Sequence, residues 1–343
     1  MPYPAYQSLR QQKSVPKKSK KILVTGGAGY IGSITTRLLQ KQGYDVVVFD
    51  NLSTGKQERV RNCKLIAADL ADRFTLDKVF SEEKIDAVLH FAASVEVEES
   101  VANPAKYFQN NVTNSLNLLD AMVSAGVAKL VFSSSAAVYG EPATLPISEG
   151  TPCNPSNPYG ETKLLFEKIL CWYERAYGIR SVSLRYFNAA GAWPEENLGF
   201  DNGGETGTHL IPRVLEVAAG RRPQIEVYGQ DYETPDGTCV RDYIHVLDLA
   251  EAHIMALERL DLSNGAYVYN VGTGLGNSVL EVVDEAVEIT DRMIPIAVAP
   301  RRAGDPARLV ADSAKLQKEL GWKPKYDLHS ILETSWQWQK KRR

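Results

Sequence analysis

A tyrosine and a lysine four positions apart are the first residues in this chain whose types and spacing suggest chemistry. Tyr159 and Lys163 stand in the segment Tyr-Gly-Glu-Thr-Lys, near the start of a predicted helix, so both side chains share one helix face. A free phenol has a pKa near 10, and lowering that pKa to about 7 requires about 4 kcal/mol of preferential stabilisation of the phenolate. An ammonium group one turn away supplies part of this stabilisation. Taken alone, such a pair is more often an ordinary helix surface.

Three consecutive serines provide a second candidate group. Residues 133–135 end a predicted central strand, at the edge of the sheet where open α/β proteins bind ligands. A serine hydroxyl at this edge can hydrogen-bond a substrate oxygen while a tyrosine removes or supplies its proton. Serine clusters also end strands as simple turns. The prediction therefore depends on the combination of these serines with Tyr-x-x-x-Lys, which begins 24 residues after Ser135.

A glycine-rich segment lies between the first predicted strand and the first predicted helix. Gly26, Gly29 and Gly32 follow the spacing G-x-x-G-x-x-G, which allows a tight turn and a close approach of backbone to a pyrophosphate at the helix N-terminus. Asp50 follows 18 residues after Gly32, at the end of the second predicted strand. A carboxylate there accepts hydrogen bonds from an adenosine ribose and repels a 2′-phosphate. The glycine-rich loop and the Asp50 carboxylate together predict that the chain binds NAD rather than NADP.

Short apolar strands alternate with helices through the first half of the chain, and this alternation must position the candidate residues. Strands that are apolar on both faces and separated by helices predict a Rossmann-like, doubly wound parallel sheet. The predicted strands are 21–25, 45–49, 65–67, 86–91, 129–133 and 180–187, and the predicted helices include 74–82, 104–125 and 159–177.

Three regions follow from these patterns. Residues 1–20 are predicted to be a basic, disordered tail, residues 21–190 an NAD-binding Rossmann domain, and residues 191–343 a smaller, mainly substrate-binding α/β region, some elements of which return to the sheet. Segment 191–208 is rich in glycine and predicted to be a loop. It precedes predicted helices near 210–219, 248–259, 278–292 and 328–341 and predicted strands at 225–228 and 243–246.

Composition excludes several other classes of protein. The 343 residues are 44% hydrophobic and 24% charged, typical of a globular protein, and no apolar run is long enough to cross a bilayer. The net charge of −3 combines five basic residues in the first 20, four in the last four and a body of −12, which disfavours nucleic-acid binding. Four cysteines and five histidines without metal-ligand spacing predict no metal site and a reducing cytoplasm, without membrane association.

These motifs together resemble the extended short-chain dehydrogenase/reductases and, within that family, its UDP-sugar 4-epimerases. The resemblance runs from about residue 21 to 339. It depends on the motifs already described and on His-Phe-Ala-Ala at 90–93, Ser-Ser-Ser-Ala-Ala-Val-Tyr-Gly at 133–140, Leu-Arg-Tyr-Phe-Asn at 184–188, Val-Arg-Asp-Tyr-Ile-His-Val at 240–246 and Pro-Arg-Arg-Ala-Gly-Asp at 300–305.

The resemblance implies a role for each matching residue. Tyr159 would be the base, Lys163 its electrostatic and ribose-binding partner, and Ser135 the residue that holds the sugar 4-oxygen. Besides Tyr159 and Lys163, the NAD site would comprise Gly26, Gly29, Tyr30, Ile31, Gly32, Asp50, Asn51, Asp69, Leu70, Phe91, Ala92, Ala93, Asn110 and Phe187. Besides Ser135 and Tyr159, the UDP-sugar would meet Asn188, His209, Leu210, Tyr228 at the uracil, Arg241 and Arg302 at the diphosphate, Asp305 at the uridine ribose, and Leu309.

The implied reaction interconverts UDP-galactose and UDP-glucose through a 4-keto sugar, with hydride passed from C4 to NAD and returned to the opposite face. A homodimer joined through helices near 104–125 and 159–177 is also implied. Some members carry a lysine where this chain has Val95, which predicts weaker NAD retention. Leu309 matches the residue that limits the sugar pocket, and its bulk disfavours N-acetylated hexoses.

Related activities place different demands on the residues of the site. A sugar-nucleotide 4,6-dehydratase or a uronate decarboxylase needs a further acid or base just after the strand-end hydroxyl, where this chain has Ala136 and Ala137. Epimerases of UDP-xylose and UDP-arabinose or of UDP-glucuronate remain open alternatives. A non-catalytic NAD-binding regulator, a different class of protein, has no need of Ser135, Tyr159 and Lys163 together.

Overall fold

The computed structural model describes residues 20–201, 209–302 and 305–341. The predicted basic tail, apart from Lys20, lies outside these residues, as does most of the glycine-rich part of segment 191–208. No helix in the described ranges is both long and apolar enough to cross a membrane.

Strands and helices alternate along the described chain. The strands are β1 (Lys21–Thr25), β2 (Asp45–Asp50), β3 (Lys64–Ala67), β4 (Ala87–His90), β5 (Lys129–Ser133), β6 (Arg180–Tyr186), β7 (Asn188–Ala190), β8 (Ala192–Trp193), β9 (Leu198–Gly199), β10 (Ile225–Tyr228), β11 (Val240–His245), β12 (Ala266–Val271), β13 (Gly276–Ser278), β14 (Ile296–Ala299) and β15 (Arg308–Leu309). The α-helices are α1 (Tyr30–Lys41), α2 (Arg73–Glu83), α3 (Val97–Ala102), α4 (Pro104–Phe108), α5 (Asn114–Ala125), α6 (Pro158–Tyr177), α7 (Leu210–Ala218), α8 (Val246–Arg259), α9 (Val279–Thr290), α10 (Ala314–Leu320) and α11 (Leu328–Lys341).

Seven parallel strands form the central sheet, in the order β3-β2-β1-β4-β5-β6-β12. The predicted doubly wound α/β class is therefore confirmed. The strand order reverses between β1 and β4, and ligands of such sheets bind at the carboxyl ends of the strands near this reversal. Strand β12 lies beyond residue 190 yet belongs to the central sheet, and helix α8, also beyond residue 190, packs against that sheet. The predicted domain boundary at residue 190 stays a prediction.

Apolar side chains fill both faces of the sheet. Along β1, Val24 points into a core shared with α1 and α8, whereas its neighbour Leu23 points into a core shared with α2, α5 and α6. This alternation follows from the two-residue period of a strand. Since both faces are covered, the β1 side chains Ile22, Leu23 and Val24 are fully buried.

The remaining elements form a smaller unit at the carboxyl edge of the sheet. Strand β11 lies at its centre and pairs with β7, β13 and β15, while β10 and β14 form a separate parallel pair. Helices α7, α9 and α11 pack together beside these strands around a third apolar core.

Three predictions of local structure were wrong in detail. The predicted helix 104–125 is divided by a π-helical turn at Gln109–Thr113, whose extra residue per turn brings Asn111 to bond Ser94. Strand β11 spans Val240–His245 rather than 243–246, because its first residues pair with β13. The predicted loop after residue 190 contains the short pair β8 and β9.

Candidate active site

Helix α6 begins next to the candidate tyrosine. Asn157 caps it by accepting a hydrogen bond from the Gly160 amide at 2.9 Å, and Pro158 occupies the first helical position, where a missing N–H costs nothing. Tyr159 and Lys163 therefore lie on the first two turns of the helix. Both side chains face the sheet, with 7% and 3% of their residue surfaces exposed.

Lys163 is held by the end of strand β5. Its Nζ donates to the Ser133 carbonyl oxygen at 2.8 Å and lies 5.8 Å from the centre of the Tyr159 ring. Burial lowers the pKa of the Lys163 ammonium to about 7, and the Glu167 carboxylate one turn further on opposes this shift. Lys163 therefore titrates near neutral pH, and the fraction that carries the charge depends on its neighbours.

Ser135 faces Tyr159 across the edge of the sheet. Its Oγ accepts a hydrogen bond from the Ala137 amide at 3.1 Å, which fixes the hydroxyl at the start of a 3-10 turn. Burial raises the pKa of the Tyr159 phenol above its usual range, and the hydrogen bond with Ser135 acts in the opposite direction. A buried phenol needs a cationic neighbour to ionise near neutral pH, and Lys163 lies within reach.

The glycine loop connects β1 to α1 beneath this site. Gly26 has a φ of +72°, and a Cβ there would lie 2.5 Å from the Ala92 amide nitrogen. A Cβ on Gly32 would overlap the Gly26 carbonyl oxygen. Gly29 precedes helix α1, whose first turn has no side-chain cap. Gly26 and Gly32 thus allow the loop to fold tightly. Because Gly29 has no side chain to cap the helix, the first backbone N–H groups of α1 stay available at the edge of the sheet.

Acidic and amide side chains surround the loop at the ends of β2 and β3. The Asp50 carboxylate accepts hydrogen bonds from the amides of Ala28 and Leu52 at 2.9 and 2.8 Å. Asn51 donates to Asp69 at 2.6 Å. Each carboxylate oxygen has two lone pairs, so Asp50 keeps further acceptor capacity.

The other predicted cofactor residues lie along the same edge. Tyr30 and Ile31 begin α1, Leu70 follows β3, and Phe91, Ala92 and Ala93 follow β4. Asn110 lies on the π-helical turn and donates to Ser94 Oγ at 3.2 Å. Phe187 lies between β6 and β7. The structure thus gathers these residues at the carboxyl ends of the sheet strands.

A cleft of about 210 Å³ opens between the sheet edge and the smaller unit. It brings together seven of the predicted substrate residues, together with Tyr30. These are Asn188, His209, Leu210, Tyr228, Arg241, Arg302 and Asp305. Ser135, Tyr159 and Leu309 do not line it.

Of the described residues, three arginines line the cleft, and two of them, Arg241 and Arg302, are predicted substrate residues. The Arg241 guanidinium forms an ion pair with Asp305 and donates to the Val240 carbonyl oxygen at 2.8 Å. Arg302 stacks on Tyr228, with its guanidinium carbon 4.0 Å from the ring centre. One guanidinium group can donate two hydrogen bonds to two oxygens of a phosphate. Arg241 and Arg302 beside the Tyr228 ring therefore suit a diphosphate next to an aromatic face.

Leu309 lies between this cleft and the catalytic edge. It is paired with Arg241 across strands β15 and β11, and it packs on an apolar cluster that contains Ala136 and Phe187. Ala136 directly follows Ser135. The position of Leu309 therefore lets its side chain limit the space next to Ser135.

Sequence reasoning missed part of the site. Cys239, Trp338 and Gln339 line the cleft, and Glu167 and Arg185 form a buried ion pair behind Lys163. The cleft residues carry no local signal, because they reach the cleft only through tertiary packing. Glu167 has a signal that could have found it, since it continues the four-residue spacing of Tyr159 and Lys163.

Comparison with known proteins gives a consistent result. Residues 22–272 match the model of the NAD dependent epimerase/dehydratase family. The UDP-glucose 4-epimerase of Lacticaseibacillus casei is 50% identical over 319 residues, which cover 92% of this chain and 96% of the relative.

Solved structures agree. That of UDP-glucose 4-epimerase from Brucella ovis in complex with NAD has a TM-score of 0.89 and 50% identity, covering 93% of this chain and 98% of its own. The Bifidobacterium longum enzyme in complex with NAD⁺ and UDP has a TM-score of 0.89 and 43% identity, with coverages of 94% and 98%. The chain therefore belongs to the NAD dependent epimerase/dehydratase family and, within it, to the UDP-glucose 4-epimerases.

Proposed function

We propose that this protein interconverts UDP-galactose and UDP-glucose by inverting the sugar at C4, with NAD as its bound cofactor. The observation that carries the proposal is the meeting of Ser135, Tyr159 and Lys163 at the sheet edge, between the glycine loop and an arginine-lined cleft. Relatives of about 50% identity carry the name UDP-glucose 4-epimerase, which favours a hexose over the pentose and uronate alternatives.

The residues around the glycine loop fit NAD. The first turn of α1 has no side-chain cap, so its backbone N–H groups are available to a pyrophosphate. A side chain at Gly26 or Gly32 would clash with neighbouring backbone atoms, so the tight loop requires glycine at both positions. Asp50 retains lone pairs for ribose hydroxyls. When bound, NAD supplies a hydride acceptor and donor for the sugar C4 carbon.

The protein's own groups handle the proton. Tyr159 takes the proton of the 4-hydroxyl as the sugar is oxidised and gives it back as the sugar is reduced. Lys163 stabilises the phenolate electrostatically, and Ser135 holds the 4-oxygen by a hydrogen bond. Because the 4-keto sugar can present either face, the same three groups serve both half-reactions.

The cleft supports recognition of the UDP moiety. Arg241 and Arg302 are the cations for the diphosphate, Tyr228 offers a face to the uracil, and Asp305 can accept from the uridine ribose. The ion pair between Arg241 and Asp305 keeps both side chains aimed into the cleft. Leu309 restricts the room for an N-acetyl group.

Two wider properties belong to the same proposal. A homodimer would cover the exposed aromatic side chains Phe108, Trp172 and Tyr177 on α4 and α6. A cytoplasmic location suits the four cysteines, all of which are free thiols.

The test is direct. Purified protein incubated with UDP-galactose and no added reductant is expected to form UDP-glucose, because the redox change cancels over one cycle. UDP-N-acetylgalactosamine, UDP-arabinose and UDP-glucuronate, measured in parallel, define the sugar range. Absence of UDP-glucose at saturating UDP-galactose would contradict the proposal.

A further inference from the structure

Three consecutive residues at the end of β5 each hold one residue of helix α6. The Ser133 carbonyl accepts from Lys163 Nζ at 2.8 Å, and the Ser134 hydroxyl donates to Glu167 Oε1 at 2.5 Å. The Ser135 side chain lies close enough to the Tyr159 phenol to lower its pKa by hydrogen bonding. Tyr159, Lys163 and Glu167 are spaced by four residues and therefore form one stripe along the helix. The first two belong to the proposed chemistry, and the third has no assigned role.

Glu167 is buried and fully partnered. Its carboxylate accepts hydrogen bonds from Arg185 Nε at 3.0 Å and Arg185 Nη2 at 2.5 Å, in addition to the one from the Ser134 hydroxyl. Arg185 Nη1 in turn donates to the Tyr139 hydroxyl at 3.0 Å, and that hydroxyl donates to Asn270 at 2.7 Å. The two charged residues are each 6% exposed.

A buried ion pair of this kind is weak evidence for a contribution to stability, since desolvation offsets much of its attraction. Its location points to a different use. Ser134 stands between the residue that holds Lys163 and the residue that holds Tyr159, so a fixed Ser134 fixes both neighbours. The Arg185 contacts prevent the Glu167 carboxylate from turning away.

We propose that Glu167 is a positioning residue for the epimerisation site, which fixes the β5 end against α6 and favours the charged form of Lys163. The inference rests on the proposed function and deepens it. Glu167 acts through Ser134 and Lys163 and touches neither sugar nor cofactor.

The electrostatic half of the proposal follows from the groups that face Lys163. Tyr159 and Glu167 face it from α6, His90 from β4, and Arg185 and Tyr186 lie on the neighbouring strand β6. Burial lowers the pKa of His90 to about 3, so His90 is neutral. Within the described residues, Glu167 supplies the negative charge that acts on Lys163 and offsets part of its desolvation.

The test compares variants that remove charge with variants that remove only the contact. Glu167→Gln keeps an acceptor for Ser134 but loses the charge, so the alkaline limb of the kcat profile is expected to move to lower pH by about one unit. Glu167→Asp and Ser134→Ala keep the charge but break the Ser134 contact. We expect them to lower kcat roughly tenfold or more with little change in the KM for UDP-galactose and no shift of the limb.

A matched control removes an exposed carboxylate. Glu82→Gln changes the net charge equally, and its side chain is 52% exposed at a weak contact with Lys78. Its profile should coincide with that of the unmodified holoenzyme. If Glu167→Gln does not fold because Arg185 loses its partner, Glu167→Asp and Ser134→Ala still test the positioning half, and unchanged kcat in both would overturn it.

A second readout does not depend on turnover. Lysine ¹³Cε NMR of the purified holoenzyme, with the Lys163 signal assigned by its loss in Lys163→Met, reports the Lys163 titration directly. We expect the titration to move to lower pH in Glu167→Gln and to stay in place in Glu167→Asp. An unmoved titration in Glu167→Gln would overturn the charge role even if the protein acts on another substrate, whereas lack of epimerisation by the unmodified protein contradicts only the proposed function.

Discussion

Tyr159 combines two opposing demands. The site buries its phenol, which raises its pKa, yet the proposed reaction needs the phenol to release and accept a proton. The Ser135 hydroxyl acts against the effect of burial. The Lys163 Nζ lies 5.8 Å from the centre of the Tyr159 ring, where a positive charge would favour the phenolate. A residue held in this balance is the natural first target for substitution.

Replacing Tyr159 by phenylalanine keeps the ring and removes the proton-transfer group. We expect kcat to fall by about 10³-fold, because general acid–base catalysis contributes factors of this order. Bound NAD, measured after denaturation of the purified protein, should be retained. Tyr177→Phe is the control, since it removes the same hydroxyl at the opposite end of α6 and should keep full activity. A rate within tenfold of the original in Tyr159→Phe would remove Tyr159 from its role.

The elements of the sheet could be predicted largely from the sequence, because β-branched runs and apolar periodicity carry local information. Helix α6 is one such case, with a predicted range of 159–177 and an observed range of Pro158–Tyr177. The π-helical turn at Gln109–Thr113 and strand β12 were not predicted. The turn depends on the partners of Asn111, and β12 depends on pairing with β6, so neither is determined by local sequence.

The candidate site likewise contains some residues that could be predicted from the sequence and others that could not. Residues within motifs, such as Gly26 and Tyr159, could be proposed as candidates because several motifs occur together along the chain. Cys239 and Trp338 reach the cleft only because β11 and α11 pack beside it. Contacts between distant segments of this kind have no signature in a single sequence.

The hydrogen bonds of Asn111 in the π-helical turn allow a prediction about the free energy of unfolding. Asn111 accepts from the Ser94 amide at 2.8 Å and donates to Thr162 Oγ1 at 3.1 Å, and it is almost fully buried. Replacing it by alanine leaves buried groups without partners, which should lower the free energy of unfolding by about 1–3 kcal/mol. Urea unfolding measures this change, with the exposed Asn264→Ala as a control. Equal unfolding midpoints for the two variants would show that the Asn111 contacts are not needed to hold the turn.

At the scale of the whole molecule, buried histidines link stability to pH. Burial lowers the pKa of His90 and of His245 to about 3 and that of His253 to about 4, whereas an unfolded histidine titrates near 6.5. The unfolded chain therefore binds more protons below pH 6.5. Each of the three stabilises the fold above that pH and loses this contribution as the pH falls towards its folded-state value.

This difference predicts a steep loss of stability in mild acid. Between pH 6 and pH 4.5, the free energy of unfolding should fall by up to about 1.4 kcal/mol per pH unit for each histidine. Chemical denaturation at a series of pH values measures it. A free energy of unfolding that stays constant from pH 7 to pH 5 would contradict the protonation of these histidines on unfolding.

The proposed dimer can also be measured on the intact protein. The chain mass is 37.9 kDa, and light scattering is expected to give twice that value. Trp172→Glu places a charge on the exposed face of α6 and should shift the mass towards that of a single chain. A mass near 37.9 kDa for the unmodified protein would exclude the dimer under those conditions.

The central claim is that hydride leaves C4 of the sugar and returns to the same carbon within one active site. UDP-galactose carrying deuterium at C4, incubated with the purified protein and no added reductant, tests this most directly. We expect UDP-glucose with the deuterium retained at C4, because the hydride never exchanges with water. Failure to form UDP-glucose, or formation of UDP-glucose that has lost the label, would contradict the claim.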